Sequence, residues 1–384
     1  MNLDEAIELA LKHAPEIAKS KAVSGAAEGA RRQSTAWENP QLSIEAENIG
    51  GSGDYRAYDS AETTASVSQL IEIGGKVSAR RSMAERDQAL ARLEERNETL
   101  KVVRNVKIAF ARASASQEQL GLARDQSRQA DDILSGVKRR VDAAADPIYQ
   151  KNKARIAKAS SLLAFKKAEK EKDVSFKNLS QMIGSKVEKI ETKGFYALPK
   201  PAAFTGIEPD LVITREDIEI EKSKASYALE RANAVPDPTI SAGIRNFRED
   251  NENAFIIGVS LPIPVLNLNR GNIQKAGYEI AARDAQRQEV IREARAEIIE
   301  REKYLSDAYE EALSLKNDIL PEAEAALKEA RRGYGAGSFA YIDVLDAQRT
   351  FAESRIAYLD ALYNYHSSLA ELEYLTSPVS PETK

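Results

Sequence analysis

The chain has 384 residues and a net charge of −5; 30% of its side chains are charged, only 6% are aromatic, and it has 2 histidines and no cysteine. The lack of cysteine excludes disulfides, thiolate metal sites and a cysteine nucleophile, and the weak, unclustered charge gives nucleic-acid binding little support. Abundant Ala, Glu, Lys and Arg with few aromatics point to long helices rather than one compact core.

The opening LDEAIELALKHAP predicts a short helix with apolar Leu3, Ile7, Leu9 and Leu11 that ends before Pro15, followed by a longer helix from Glu16 to Trp37. Pro40 begins a strand, where a missing amide donor does least harm. Leu42, Ile44 and Ala46 then alternate with Ser43, Glu45 and Glu47, the signature of a sheet with one apolar and one polar face. After the loop IGGSGDYRAYDS, the run TTASVSQLIEIGG puts Val67, Ile71 and Ile73 on one side and Ser66, Ser68 and Glu72 on the other. The two strands cover about 40–49 and about 63–73. Lys76 to Val141 reads as one helix of roughly 65 residues, about 100 Å long. It breaks at Ala143 to Pro147, a returning helix runs from Ile148 to Met182, and Ile183 to Gly206 is an irregular connector.

From Pro209 the order repeats. A helix reaches Ala234, strands cover about 238–247 and about 254–264, and Asn272 to about Leu320 is helix. Ile240 and Ile244 alternate with Ser241, Gly243 and Arg245; Phe255, Ile257, Val259, Leu261 and Ile263 alternate with Ile256, Gly258 and Ser260. Glu300 to Arg332 is strongly helix-favouring, with Pro321 its only strong interruption. Gly333, Gly335 and Gly337 would supply the positive φ angles of a sharp reversal, with Ser338 capping a final helix through Leu375 and a loose tail from Ser377. Just past this tip Asp343 and Asp346, three apart, share one helix face, while Ile342, Leu345 and Arg349 point elsewhere.

Equivalent landmarks recur at one spacing: about 196 residues separate Gly75 from Gly271, about 198 separate Pro40 from Pro238, and about 193 separate the two tips. The chain is therefore read as two tandem repeats, 1–206 and 207–384, each a helix, two strands and a long helical hairpin. The hairpin tips fall at about 143–147 and about 333–338. Four strands of about ten residues are too few to close a barrel, yet they have the length and dyad pattern of outer-membrane strands. In lipid their two open edges would need strands from other chains. Met1 leads straight into an amphipathic helix with no visible signal peptide, and no apolar run reaches the length of a membrane-spanning helix.

The motifs LDEAIELALKHAP, AWENPQLSIEAEN, SQLIEIGGK, VPDPTISAG, IIGVSLPIPVLNLNRG and RRGYGAGSFAYIDVLDAQR, in that order, resemble the TolC-like outer-membrane efflux proteins over nearly the whole chain. ENPQLSIEAEN followed by SQLIEIGGK is more similar to the cobalt-zinc-cadmium branch, which serves heavy-metal pumps. The resemblance implies a mainly α protein with a membrane β-barrel portion. As a homotrimer it would form a twelve-stranded barrel in outer-membrane lipid and a helical tunnel across the periplasm, its signal peptide removed. It also implies a periplasmic adaptor of the membrane-fusion type and an inner-membrane pump of the RND type as partners, and no catalytic residues. On that pattern Asp343, Asp346 and Tyr334 form the periplasmic gate, and Ala143, Ala144, Ala145, Gly335, Gly337 and Ser338 dock the adaptor. Leu42, Ile44, Val67, Ile71, Ile240, Ile244, Phe255, Ile257, Val259 and Leu261 face lipid. Two departures stand out: Gln150 occupies the place of an acidic gate partner and Phe339 that of a basic one.

Neither His13 nor His366 has a second Cys or His at ligand spacing, and the tip glycines lack the Lys-Ser/Thr and preceding strand of a phosphate loop. No metal site, cofactor or catalytic group is expected. The function read from the sequence is a passive exit duct for efflux, with heavy-metal cations as candidate substrates. The alternative is a soluble periplasmic helical-hairpin adaptor or scaffold, which would share the long helices but need no lipid-facing strands.

Overall fold

The computed structural model of the chain describes residues 1–202, 204 and 206–379. The tail expected from Ser377 falls outside the described residues from Ser380 onward, as do Ala203 and Thr205 of the connector. The elements are α1 (Leu3–His13), α2 (Pro15–Gln33), β1 (Gln41–Glu47), β2 (Glu62–Leu70), α3 (Lys76–Asp142) and α4 (Ile148–Ile183). The second half has one helix before its strands and its first long helix in two parts: α5 (Asp210–Asn233), β3 (Thr239–Phe247), β4 (Glu252–Ser260), α6 (Arg270–Ser314), α7 (Leu320–Ala336) and α8 (Tyr341–Leu375). No helix among the described residues is long and apolar enough to cross a membrane.

Two compact units form, and each draws on both repeats. One comprises Ser20–Glu95 and Val212–Val290. Its centre is a four-stranded antiparallel sheet in the order β1-β2-β3-β4, so β1 and β4 are its edges. The register sets Leu42 opposite Val67, Val67 opposite Ala242 and Ala242 opposite Ile257, which gathers the apolar residues of all four strands onto one face. The polar face carries Arg245, whose guanidinium lies 2.9 Å from Glu62 and 3.3 Å from Glu47. Where β2 gives way to α3, Lys76 pairs with Asp237 at 2.5 Å and bonds the Val235 carbonyl at 2.6 Å, while the Ile73 amide donates to Asp237 at 2.8 Å. This half-hidden cluster joins the two repeats.

The other unit comprises Met1–Lys19, Arg96–Leu211 and Ile291–Lys384. Small residues let its helices approach closely: Ala6 and Ala10 of α1 are fully buried against Val106 and Phe110 of α3 and Phe176, Leu179 and Ile183 of α4. The buried stripe of α1 is thus centred on its alanines, with Leu3, Ile7 and Leu9 at its margin and Leu11 exposed. A second cluster packs Ala111 and Ala115 of α3 on Ala312, Leu315, Leu359 and Leu362.

Several boundaries differ from the sequence expectation, each for a local reason. Helix α2 stops at Gln33 rather than Trp37, because the Ser34 and Thr35 hydroxyls bond the Arg31 and Arg32 carbonyls and compete with the helical ladder. β2 ends at Leu70: the Ile71 amide still bonds the Pro238 carbonyl at 2.9 Å, but Pro238 has no amide to return, and the Ile73 amide is committed to Asp237. β4 ends at Ser260, before Pro262 and Pro264, which have no amide to give a ladder. Ile71 and Leu261 therefore lie just beyond the strands. Pro321 does not break its helix; the chain makes a π turn over Leu315–Ile319, widening the backbone where a proline ring would otherwise meet the preceding turn.

Candidate functional site

At the first tip the backbone enters the left-handed region at Ala144, with φ of +59°, a conformation that costs an L-residue roughly 1–2 kcal/mol. The reversal is closed by the amides of Ala145 and Asp146, which bond the Arg140 carbonyl at 2.8 and 3.3 Å. The same fold of the chain brings the Asp146 carboxylate to the Arg140 guanidinium, Oδ2 to Nε 2.9 Å.

The second tip differs from the three-glycine reversal expected. Helix α7 runs through Gly333 and Gly335 to Ala336, and only Gly337 takes a positive φ, +82°. Gly333 is required for space instead: a Cβ there would lie 2.3 Å from the Phe339 ring, which folds back over it. Ser338 does not cap α8. The cap position is Ala340, whose amide is met by the Asp343 carboxylate at 2.9 Å, an acid placed favourably at the positive end of the helix.

The two tips are joined by one hydrogen-bonded group. Tyr334 donates its hydroxyl to Asp146 Oδ2 at 2.8 Å, and the Arg140 guanidinium lies over the Tyr334 ring, 4.8 Å from its centre. The Asp146 side chain is only 8% exposed. Burial opposes its ionisation, but the bonds from Arg140 and Tyr334 outweigh that and hold its pKa below the ordinary value. Burial and the adjacent carboxylate push the Tyr334 phenol well above its ordinary value, so it remains a donor. Behind this group Leu134, Val137, Ala154, Ala330, Tyr341 and Val344 form an apolar plug, and burial raises the Tyr341 phenol to about 12.

Of the gate residues expected, Tyr334 sits in this lock. Asp343 caps α8, and Asp346 is exposed and paired with Arg349 at 2.8 Å, so Arg349 shares its face rather than pointing away. At the positions where the family pattern would place an acidic and a basic partner, Gln150 Oε1 is buried with no hydrogen-bond partner and Phe339 packs on Gly333; the acid and base that bond at the tips are Asp146 and Arg140. The sequence signal for the missed pair was an oppositely charged Arg and Asp flanking the break in the first hairpin. Ala143, Ala144, Ala145, Gly335, Gly337 and Ser338 are all exposed at the tips.

The second candidate surface is the apolar face of the sheet. Leu42, Ile44, Val67, Ile240, Ile244 and Val259 are exposed on it, and Phe255 and Ile257 on the edge strand are 86% and 82% exposed. Side chains of this kind on a continuous face require an apolar covering.

The sequence profile of the family described as outer membrane efflux protein matches residues 6–185 and 212–377. The chain belongs to that family. The cobalt-zinc-cadmium resistance protein CzcC of Cupriavidus metallidurans is 30% identical over 344 residues, covering 87% of this chain and 80% of that one. The crystal structure of CusC superposes with a TM-score of 0.83 at 18% identity, covering 98% of this chain and 92% of that one. The outer membrane protein VceC of Vibrio cholerae gives 0.81 at 18% identity, covering 98% and 96%. This efflux protein accordingly has the TolC-like fold and is an outer-membrane channel extending into the periplasm, and its relatives are channels rather than enzymes.

Proposed function

We propose that this efflux protein works as a homotrimeric, passive exit duct for heavy-metal cations. The observation that carries the oligomer is the sheet: four strands with an exposed apolar face and two open edges cannot rest in lipid alone. Three copies, edge β4 of one meeting edge β1 of the next, close a twelve-stranded barrel whose apolar face meets lipid and whose polar face, with Glu47, Glu62 and Arg245, lines the lumen. The substrate class is supported by the relative CzcC, a cobalt-zinc-cadmium resistance protein. A passive duct needs an energised inner-membrane pump of the RND type and a periplasmic adaptor, for which the exposed small-residue tips offer close backbone approach. Protein extracted from outer membranes in detergent is expected to run at three times the 42.3 kDa chain mass with a mixed barrel and helix spectrum. A monomer of purely helical spectrum would favour the soluble adaptor reading instead.

The bonds among Arg140, Asp146 and Tyr334 hold the two tips of a protomer together, and in this reading that contact belongs to the closed entrance. Asp343 and Asp346 from three copies would then set six carboxylates around one axis, the three of Asp346 partly neutralised by Arg349, and the remaining closely spaced like charges favour bound cations. Asp343→Ala with Asp346→Ala is expected to weaken block of the closed duct by multivalent cations added on the periplasmic side. Single-channel recording decides: unchanged block and selectivity would place both aspartates on the outer face.

A further inference from the structure

Away from the tips and the sheet, a cavity of about 370 Å³ lies between α1, α3, α8 and the turn at Gly194–Tyr196. Its volume falls in the lower part of the ~300–1,000 Å³ range of small-molecule sites. Phe110, Phe195 and Leu369 give it an apolar wall. Two polar groups on its border have unused capacity. Ser114 is 0% exposed and its hydroxyl has no hydrogen-bond partner, a costly state for a buried polar group unless something meets it. His366 bonds the Phe195 carbonyl through Nε2 at 2.8 Å; a carbonyl only accepts, so Nε2 carries the proton and Nδ1 of the neutral ring keeps its lone pair. Burial lowers the pKa of this imidazole, which favours that neutral form.

The charges around the cavity set the ligand's sign. Lys107 is bonded to Glu373 at 2.6 Å, whereas Asp4 and Glu191 have no ion-pair partner among the described residues, so the rim carries a negative excess. His, Asp and Glu do not converge here into a metal-holding group among the described residues, which points away from a bare ion. We propose that this cavity is a binding site for a small organic cation with an apolar body, its ammonium held by Asp4 and Glu191 and its body lying against Phe110, Phe195 and Leu369. Such a ligand would bridge α1 to α3 and α8. The site stands apart from the transport reading and does not depend on it.

Phenethylammonium, with 3-phenylpropionate as an anion of matching size, tests the site on the full chain in lipid nanodiscs by calorimetry and His366 ring-proton resonances. Saturable binding of one cation per chain that shifts the His366 signals is expected, with the anion weaker by about tenfold or more. Asp4→Asn with Glu191→Gln, both exposed positions outside the core, is expected to weaken the cation by about tenfold, and Ser114→Leu to block the cavity. Absence of saturable binding, equal binding of the anion, binding that leaves His366 unshifted, or full affinity in the double variant would each overturn the assignment.

Discussion

Ile257→Arg is expected to abolish assembly of the barrel, whereas Gly258→Ser, one residue along the same strand, leaves it nearly intact. Ile257 is 82% exposed on the apolar face of the edge strand β4, in register with Ala242 and Val67. An arginine on the lipid face near the bilayer midplane costs about 2–4 kcal/mol, and a trimer incurs that cost three times. Val259→Arg should behave alike, with a smaller loss the nearer it lies to the interface. Gly258 faces the opposite side, where an added Cβ would meet only the Ser241 hydroxyl at 2.7 Å, and a hydroxyl can rotate away. The yield of trimer recovered from outer membranes separates the cases. Equal yields for Ile257→Arg and Gly258→Ser would show that the face is covered by something other than lipid.

Asp146→Ala is expected to raise the conductance of the resting channel more than any other single change at the tips. It removes the acceptor shared by Arg140 and Tyr334 and leaves the guanidinium beside the Tyr334 ring without its carboxylate. Tyr334→Phe takes away one bond to a charged acceptor, worth about 1.5–3 kcal/mol, and shifts the closed-to-open ratio by roughly 10-fold or more. It keeps the ring beneath Arg140, so its effect should be the smaller. The pH dependence follows from the depressed carboxyl. A group whose folded pKa is lowered contributes stability that is present above its ordinary value, here 3.8, and that is lost as the pH falls through the lowered one. The wild-type channel should therefore stay closed through the mildly acidic range and loosen only in strong acid. Planar-bilayer recordings that show wild-type conductance for Asp146→Ala would remove the lock from the gating mechanism.

What the sequence by itself determined was everything governed by short-range periodicity. The dyad alternation in Phe255, Ile257 and Val259 leaves no choice of face once the segment is extended, and the charged, proline-free run from Lys76 to Asp142 favours one long helix despite Gly121 and Gly136. The recurrence of strand and tip landmarks pointed to two tandem repeats, and six ordered motifs carried the family. What only the tertiary structure decided were pairings between residues far apart in the chain. Arg140 and Asp146, six apart, flank the break in the first hairpin and are a local signal, but the Tyr334 hydroxyl reaches Asp146 from 188 positions away. Nothing in a local pattern encodes that. Gly333 shows the same limit, since its reason is the volume of the Phe339 ring and not its own backbone angle. The ends of β2 and β4 were likewise set by amides that proline lacks, at Pro238 in one case and at Pro262 and Pro264 in the other. Periodicity fixes which face of an element is apolar; which distant side chain completes a buried carboxylate is fixed only when the helices have packed.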